Sequence, residues 1–156
     1  MSMADELVLQ LQMTRKYFKT TLSVLESADE SFAPSPDAFT VAGQVAHAAD
    51  SIDWFMEGAF GDGWDLDFDA SIAKAKAVTS LQEATAWLDR AFDNAISVIG
   101  GQSDQQLMQP ITDTSIMGGA PRRAVVSGIV DHTAHHRGSL AVYARLVGKV
   151  ALMPYS

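Results

Sequence analysis

Apolar side chains recur every three to four residues along four separate stretches of the chain, and alternation with a period of two is nearly absent. This periodicity restricts the fold more than any other feature, because a helix with one apolar stripe must bury that stripe against a neighbour. Leu7, Leu11, Phe18, Leu22 and Leu25 make the first stripe. It predicts a helix over residues 4–27, with Pro34 and Pro36 closing the region. Val41, Val45, Ala48, Ile52 and Phe55 predict a second over 41–57. Thr40 suits its N-cap, and Gly58, Gly61 and Gly63 stop it. Leu81, Leu88, Phe92, Ala95 and Ile99 predict a third over 81–99. Ser80 and Glu83 fit a capping box before it, and Gly100-Gly101 ends it. A fourth is predicted over 121–147, with Pro121 at its first position and Gly148 just past its end.

Helices of about 17–27 residues are about 25–40 Å long, and none with a single stripe stands alone. The expected fold class is therefore all-α: a four-helix bundle forming a single domain over residues 1–156. The stretches GDGWDLDFDA and QQLMQPITDTSIMGGA lie in two long interhelical loops of about 20 residues each, the second extended in part. Loops of that length are often functional.

Composition excludes several classes. There is no cysteine, hence no disulfide, thiolate metal site or cysteine nucleophile. The net charge is −8, and the 11 Lys and Arg residues are scattered. Neither nucleic acid nor an anionic membrane surface is an expected partner. No apolar run reaches the roughly 18 residues of a membrane span. Asp5 and Glu6 stand where a signal peptide would be basic and then apolar. A cytoplasmic location is expected.

Three of the four histidines fall in the segment DHTAHHRG, residues 131–138, and the fourth is His47. On a helical wheel with Ile129 at zero, Leu140 lies at about 20°, Thr133 at about 40°, and Val125 and Tyr143 at about 320°. His136 at about 340° and His132 at about 300° belong to this buried face, while His135 at about 240° points off it. His132 and His136 are one turn apart, a spacing that lets two imidazoles converge on one cation. A third ligand must come from elsewhere. His47 lies on a flank of the second helix with Gln44, Ser51 and Trp54, between its apolar face and the acidic face of Asp50, Asp53 and Glu57. The competing reading is a set of hydrogen-bonded core histidines.

A divalent ion on three neutral imidazoles keeps open coordination positions, and can activate water, activate a thiol, or polarise a carbonyl. The HxxxH pattern lacks the glutamate of HExxH, so no general base is built in. Asp50, one turn from His47, is a possible acceptor for its ring, but reads better as a solvated surface acid. No GxSxG elbow and no phosphate-binding glycine loop is present. Trp54, Trp64 and Trp87 are candidates to line a pocket, with Trp87 reading rather as core.

The segments VAGQVAHAADSIDWF and GAPRRAVVSGIVDHTAHHRGSLAVYARLVGKVALMPY together resemble the DinB family of bacterial four-helix proteins. The first carries the family's helix-two histidine. The second carries its H-x-x-x-H-R-G segment, an aliphatic-aromatic run, R-L-x-G and a tail ending in Pro-Tyr. Ala151 departs from the pattern, standing where the family often has proline. The resemblance implies an up-down-down-up bundle that commonly forms a homodimer. It also implies a divalent metal, often zinc or nickel, held by His47, His132 and His136. The superfamily includes transferases that use low-molecular-weight thiols such as bacillithiol or mycothiol, and a thiol-dependent maleylpyruvate isomerase. The expectation is a metal-dependent enzyme acting on a small molecule, either a thiol-dependent S-transferase or a hydrolase. The alternative is a metal- or ligand-binding stress protein without turnover.

Overall fold

The computed structural model describes residues 1–156. The chain is all-helical, with six α-helices and no strand: α1 (Met3–Leu22), α2 (Val41–Phe60), α3 (Phe68–Lys76), α4 (Leu81–Gly100), α5 (Asp104–Met108) and α6 (Ala124–Leu146). No helix is long and apolar enough to cross a membrane. Helix α1 packs against α4 and α6, and α2 packs against the same two. The four predicted stripes meet in one core that includes Leu11, Phe18, Val45, Ile52, Leu88, Phe92, Ile129 and Leu140. Each of these side chains is fully buried.

Helix α2 is the most enclosed. Its first six residues, Val41 to Ala46, are all buried. Small side chains in the run VAGQVAHAA let neighbouring helices approach its backbone closely, and Thr40 caps it by accepting from the Gly43 amide at 3.0 Å. On the outer side, Arg15 and Lys19 of α1 bind Asp89 of α4 at 2.9 Å each, and Arg15 also reaches Asp93 at 2.7 Å.

The structure departs from expectation at several ends and in both loops. Helix α1 stops at Leu22, and a 3-10 turn at Ser27–Asp29 follows. Ser80 caps α4 by accepting from the Glu83 amide, but the reciprocal bond of a capping box is absent. Glu30 supplies the second cap instead, its carboxylate accepting from the Leu81 amide at 2.9 Å. Pro121 is not in α6. It pairs with Pro110 in an isolated antiparallel bridge, flanked by the bonds Ile111 N–H to Ala120 O and Arg122 N–H to Gln109 O. That pairing holds residue 121 extended, so the helix starts at Ala124. Gly148 does end the helix as expected: φ is +83°, the Gly148 amide donates to Arg145 and the Lys149 amide to Ala144, a Schellman motif. The two long connections are not bare loops. The first contains α3, capped by Asp67, and the second contains α5, capped by Ser103.

Between α2 and α3, the Trp64 ring lies over Gly58, where any Cβ would overlap it. Trp64 is held from the other side by Asp113, whose carboxylate accepts from the Trp64 amide at 3.0 Å and whose carbonyl accepts from the indole N–H at 2.9 Å. Gly58→Ala should thus destabilise the protein by about 1–3 kcal/mol through overpacking. Gly138 lies inside α6 with nothing within 4 Å of its ideal Cβ. Gly138→Ala should stabilise by roughly 0.5–1 kcal/mol through helix propensity. Thermal melting of both variants checks the contrast; similar shifts for the two would contradict this packing.

Candidate metal centre

Helices α2 and α6 run in opposite directions where they meet, so Gln44 faces His136, Ser51 faces His132 and Phe55 faces Gly128. This crossing brings His47, His132 and His136 together, with one candidate ligand atom from each lying within 4.8 Å of the others. The ring centroids are 5.5 Å apart for His47–His132, 4.7 Å for His47–His136 and 4.5 Å for His132–His136, and every pair is edge-on. His136 is buried at 5% exposure, while His47 and His132 are half-buried and reach a cavity of about 550 Å³. His135 is exposed, as its wheel angle predicts.

Each ring is placed by neighbours on named elements. The His47 ring stacks on Phe39, 4.9 Å between centroids, and the Phe39 carbonyl accepts from the Tyr143 hydroxyl of α6 at 3.1 Å. His136 Nδ1 lies 3.1 Å from the side-chain amide of Gln44. His132 Nε2 lies 2.9 Å from Ser51 Oγ and 2.9 Å from His136 Nε2. Phe55 packs edge-on to His132 at 6.3 Å. It can do so because α6 has no side chain opposite it; a Cβ on Gly128 would lie 2.6 Å from the Phe55 ring.

The proton positions in this network follow from what the three rings face. Ser51 Oγ lies 2.8 Å from the His47 carbonyl and 2.9 Å from His132 Nε2, so its one hydroxyl proton serves either contact. A cation takes a lone pair from each ring. If it takes Nε2 of His132 and of His136, the His136 proton sits on Nδ1, and Gln44, whose amide nitrogen lies 3.1 Å away, turns its oxygen there to accept it. Gln44, at 5% exposure, is the buried side chain that would hold His136 in that tautomer.

These residues fit a divalent cation. Nδ1 of His47 is buried with no hydrogen-bond partner. An unsatisfied buried polar atom costs about 1–3 kcal/mol, and the protein offers it no donor or acceptor. Three imidazoles converge without a carboxylate among them. Tetrahedral ligands at about 2.0–2.1 Å from a zinc-sized ion sit about 3.4 Å apart, and the separations here, from 2.9 Å to within 4.8 Å, bracket that value.

Asp50 is not the solvated acid expected from the sequence. It is 8% exposed, accepts from Ser71 at 2.6 Å and from Lys74 at 2.8 Å, and so anchors α3 against α2. It touches no histidine ring, though its charge opposes the lowering of the His47 pKa. Sequence reasoning also missed the parts played by Gln44 and Ser51. Both lie on the His47 flank, one turn before and one turn after it, which was the available signal. Trp54 lines the cavity as expected, Trp64 backs it, and Trp87 packs on the core while donating to Asp53 at 2.8 Å.

Burial, and then the neighbouring imidazoles, push His136 down to about 3 and His132 down to about 4; burial lowers His47 as well. All three are neutral at pH 7. A histidine whose folded pKa lies below its unfolded value of about 6.5 binds fewer protons folded than unfolded between those limits. Its favourable neutral state is thus fully kept above about 6.5, and stability drains away as pH falls toward about 4. The metal-free protein should melt at a constant temperature from about pH 8 to 7 and progressively lower from about pH 6.5 to 5. His136→Gln should flatten that decline. An equally steep decline in the variant would place its origin elsewhere.

No curated protein matches the chain significantly. The family model of the DinB superfamily matches residues 10–140, a span that runs from the first turns of α1 to the last turns of α6 and takes in all three histidines. That is well over half of the chain, which therefore belongs to the DinB superfamily.

Proposed function

We propose that this protein is a metal-dependent enzyme acting on a small molecule, with His47, His132 and His136 as the ligands of one divalent cation, zinc or nickel. The observation that carries the reading is the cavity of about 550 Å³ into which His47 and His132 open. Its volume falls in the range of small-molecule sites, about 300–1,000 Å³. A protein that merely stores a metal needs no such space beside it. The long-helix pairing, with α1 and α2 each between α4 and α6, supports the up-down-down-up order expected of the superfamily.

A divalent cation held by neutral imidazoles supplies Lewis acidity, favouring the deprotonated form of a thiol or polarising a carbonyl. The chain's own residues do the rest. Gln44 fixes the His136 tautomer, and the Phe39 ring fixes the plane of His47. Phe55 and Trp54 exclude water from one wall of the cavity. Low-molecular-weight thiol transfer is the reaction class proposed first, on superfamily membership, with hydrolysis second.

Replacing any one of the three histidines leaves two ligands, too few to hold a divalent ion tightly against water. Each single alanine variant should lose metal to a similar degree, and the double variants should lose little more, because the three act as a unit. His135→Ala should keep full metal content. Metal analysis of protein purified without an affinity tag, with chelator-treated wild type as control, measures this. Additive losses, or full metal in His47→Ala, would contradict the three-ligand site. Gln44 gives a second test. Gln44→Met keeps the volume but removes the acceptor for His136 Nδ1, and should weaken metal affinity roughly 10- to 100-fold. Gln44→Glu keeps an acceptor and should retain affinity. Chelator competition on both variants reads the difference; equal affinities would remove Gln44 from the site.

A further inference from the structure

We propose that the cavity beside the three histidines takes a substrate with a positively charged amine on an apolar or aromatic body. The proposal rests on reading the cavity as a substrate site and does not depend on which metal the histidines hold.

Two kinds of surface line the cavity. Trp54, Phe55 and Phe68 give it an aromatic wall. The Trp54 ring lies 4.6 Å from Trp64 and 6.1 Å from Phe68, and its N–H is spent on the Asp65 carbonyl at 2.7 Å. The indole is thus fixed in place and offers only its π surface. The rest of the lining is acidic. Five carboxylates and one ammonium line the space, a formal charge of −4 with the histidines neutral. A dication on the histidines would still leave −2. Asp50 is matched by Lys74, but Asp53, Glu57, Asp65 and Asp67 form no ion pair. A cleft lined by one sign of charge focuses the field and concentrates ligands of opposite sign.

The rim also shows the protein's own cation held in this way. The Lys74 ammonium sits 2.8 Å from an Asp50 oxygen and 4.7 Å from the centroid of Trp87. Carboxylate on one side and indole face on the other is the environment that recognises an alkylammonium group. Trp54 and the unpaired carboxylates repeat that chemistry inside the cavity. A substrate with a free carboxylate meets the opposite: an acidic approach and no free basic side chain in the lining.

Three of these acids have local duties that do not need their charge. Glu57 accepts from the Asp62 amide at 2.8 Å, Asp65 from the Asp67 amide at 2.9 Å, and Asp67 caps α3 through the Ala70 amide at 3.0 Å. An amide side chain can accept each of these bonds equally well. The triple variant E57Q/D65N/D67N therefore removes three negative charges while leaving the local hydrogen bonds in place.

The test compares three probes of similar size: phenethyltrimethylammonium, 3-phenylpropanol and 3-phenylpropionate. The quaternary ammonium cannot ligate a metal. Affinities are measured on wild type, metal-loaded and chelator-treated, with the Trp54 indole N–H resonance locating the probe. The ammonium should bind roughly tenfold or more tightly than the other two in both forms. That preference should shrink as salt is raised, which needs no variant, and should largely vanish in E57Q/D65N/D67N. The proposal is overturned if the ammonium does not bind, if the alcohol or carboxylate binds as tightly, or if the preference survives both salt and the triple variant. Protein that holds no metal yet prefers the ammonium would sink the metal reading and sustain this one. Metal-loaded protein without the preference would do the reverse.

Discussion

Helix α2 leaves almost no room for water around its first half, and the rest of the architecture answers to that. A polar side chain on an enclosed helix must find a partner inside the protein or destabilise it. Gln44 finds His136, Ser51 finds His132, and Asp50 finds Ser71 and Lys74. These bonds fix the register of α2 against α6 and dock α3 onto α2. His47 is the exception. It sits among the same residues, yet its buried Nδ1 has no partner in the protein. One unsatisfied atom in an otherwise matched set is more informative than the matched ones, because it marks where the chain is built to receive something else.

The cavity owes its shape to parts remote in sequence. Asp113, in the connection between α5 and α6, holds Trp64 through both its amide and its indole N–H. Trp64 backs Trp54, and Trp54 forms the wall. Asp50 keeps α3, and with it Phe68 and Ser71, against the cavity. The long connections, whose length alone suggested a functional part, therefore help to build the site.

The four long helices were legible because their stripes are long and strongly periodic, and the same wheel that placed Ile129 and Leu140 in the core separated His132 and His136 from His135. Those readings depend only on phase along one helix. What was not legible depends on pairing between elements. Pro121 looked like a helix start because its φ suits that position, but a bridge to Pro110, eleven residues earlier, holds it extended. Asp50 looked like a surface acid because its own helix face is acidic, and only α3, itself hidden in a glycine- and aspartate-rich stretch, buries it. Glu83 was expected to return the cap of Ser80, yet Glu30, fifty-one residues from Leu81, takes that role. The parts of Gln44 and Ser51 were half visible. Their place on the His47 flank could be read, but the hydrogen-bond partners could not, since these come from α6.

The missing side chain at Gly128 carries a consequence of its own. Phe55 rests against bare backbone there, packs edge-on to His132 and lines the cavity, so its ring is the wall between position 128 and the chamber. A side chain added at position 128 would meet that ring first and no histidine directly. The space beside the histidines is thus set in part by a glycine that does not line it.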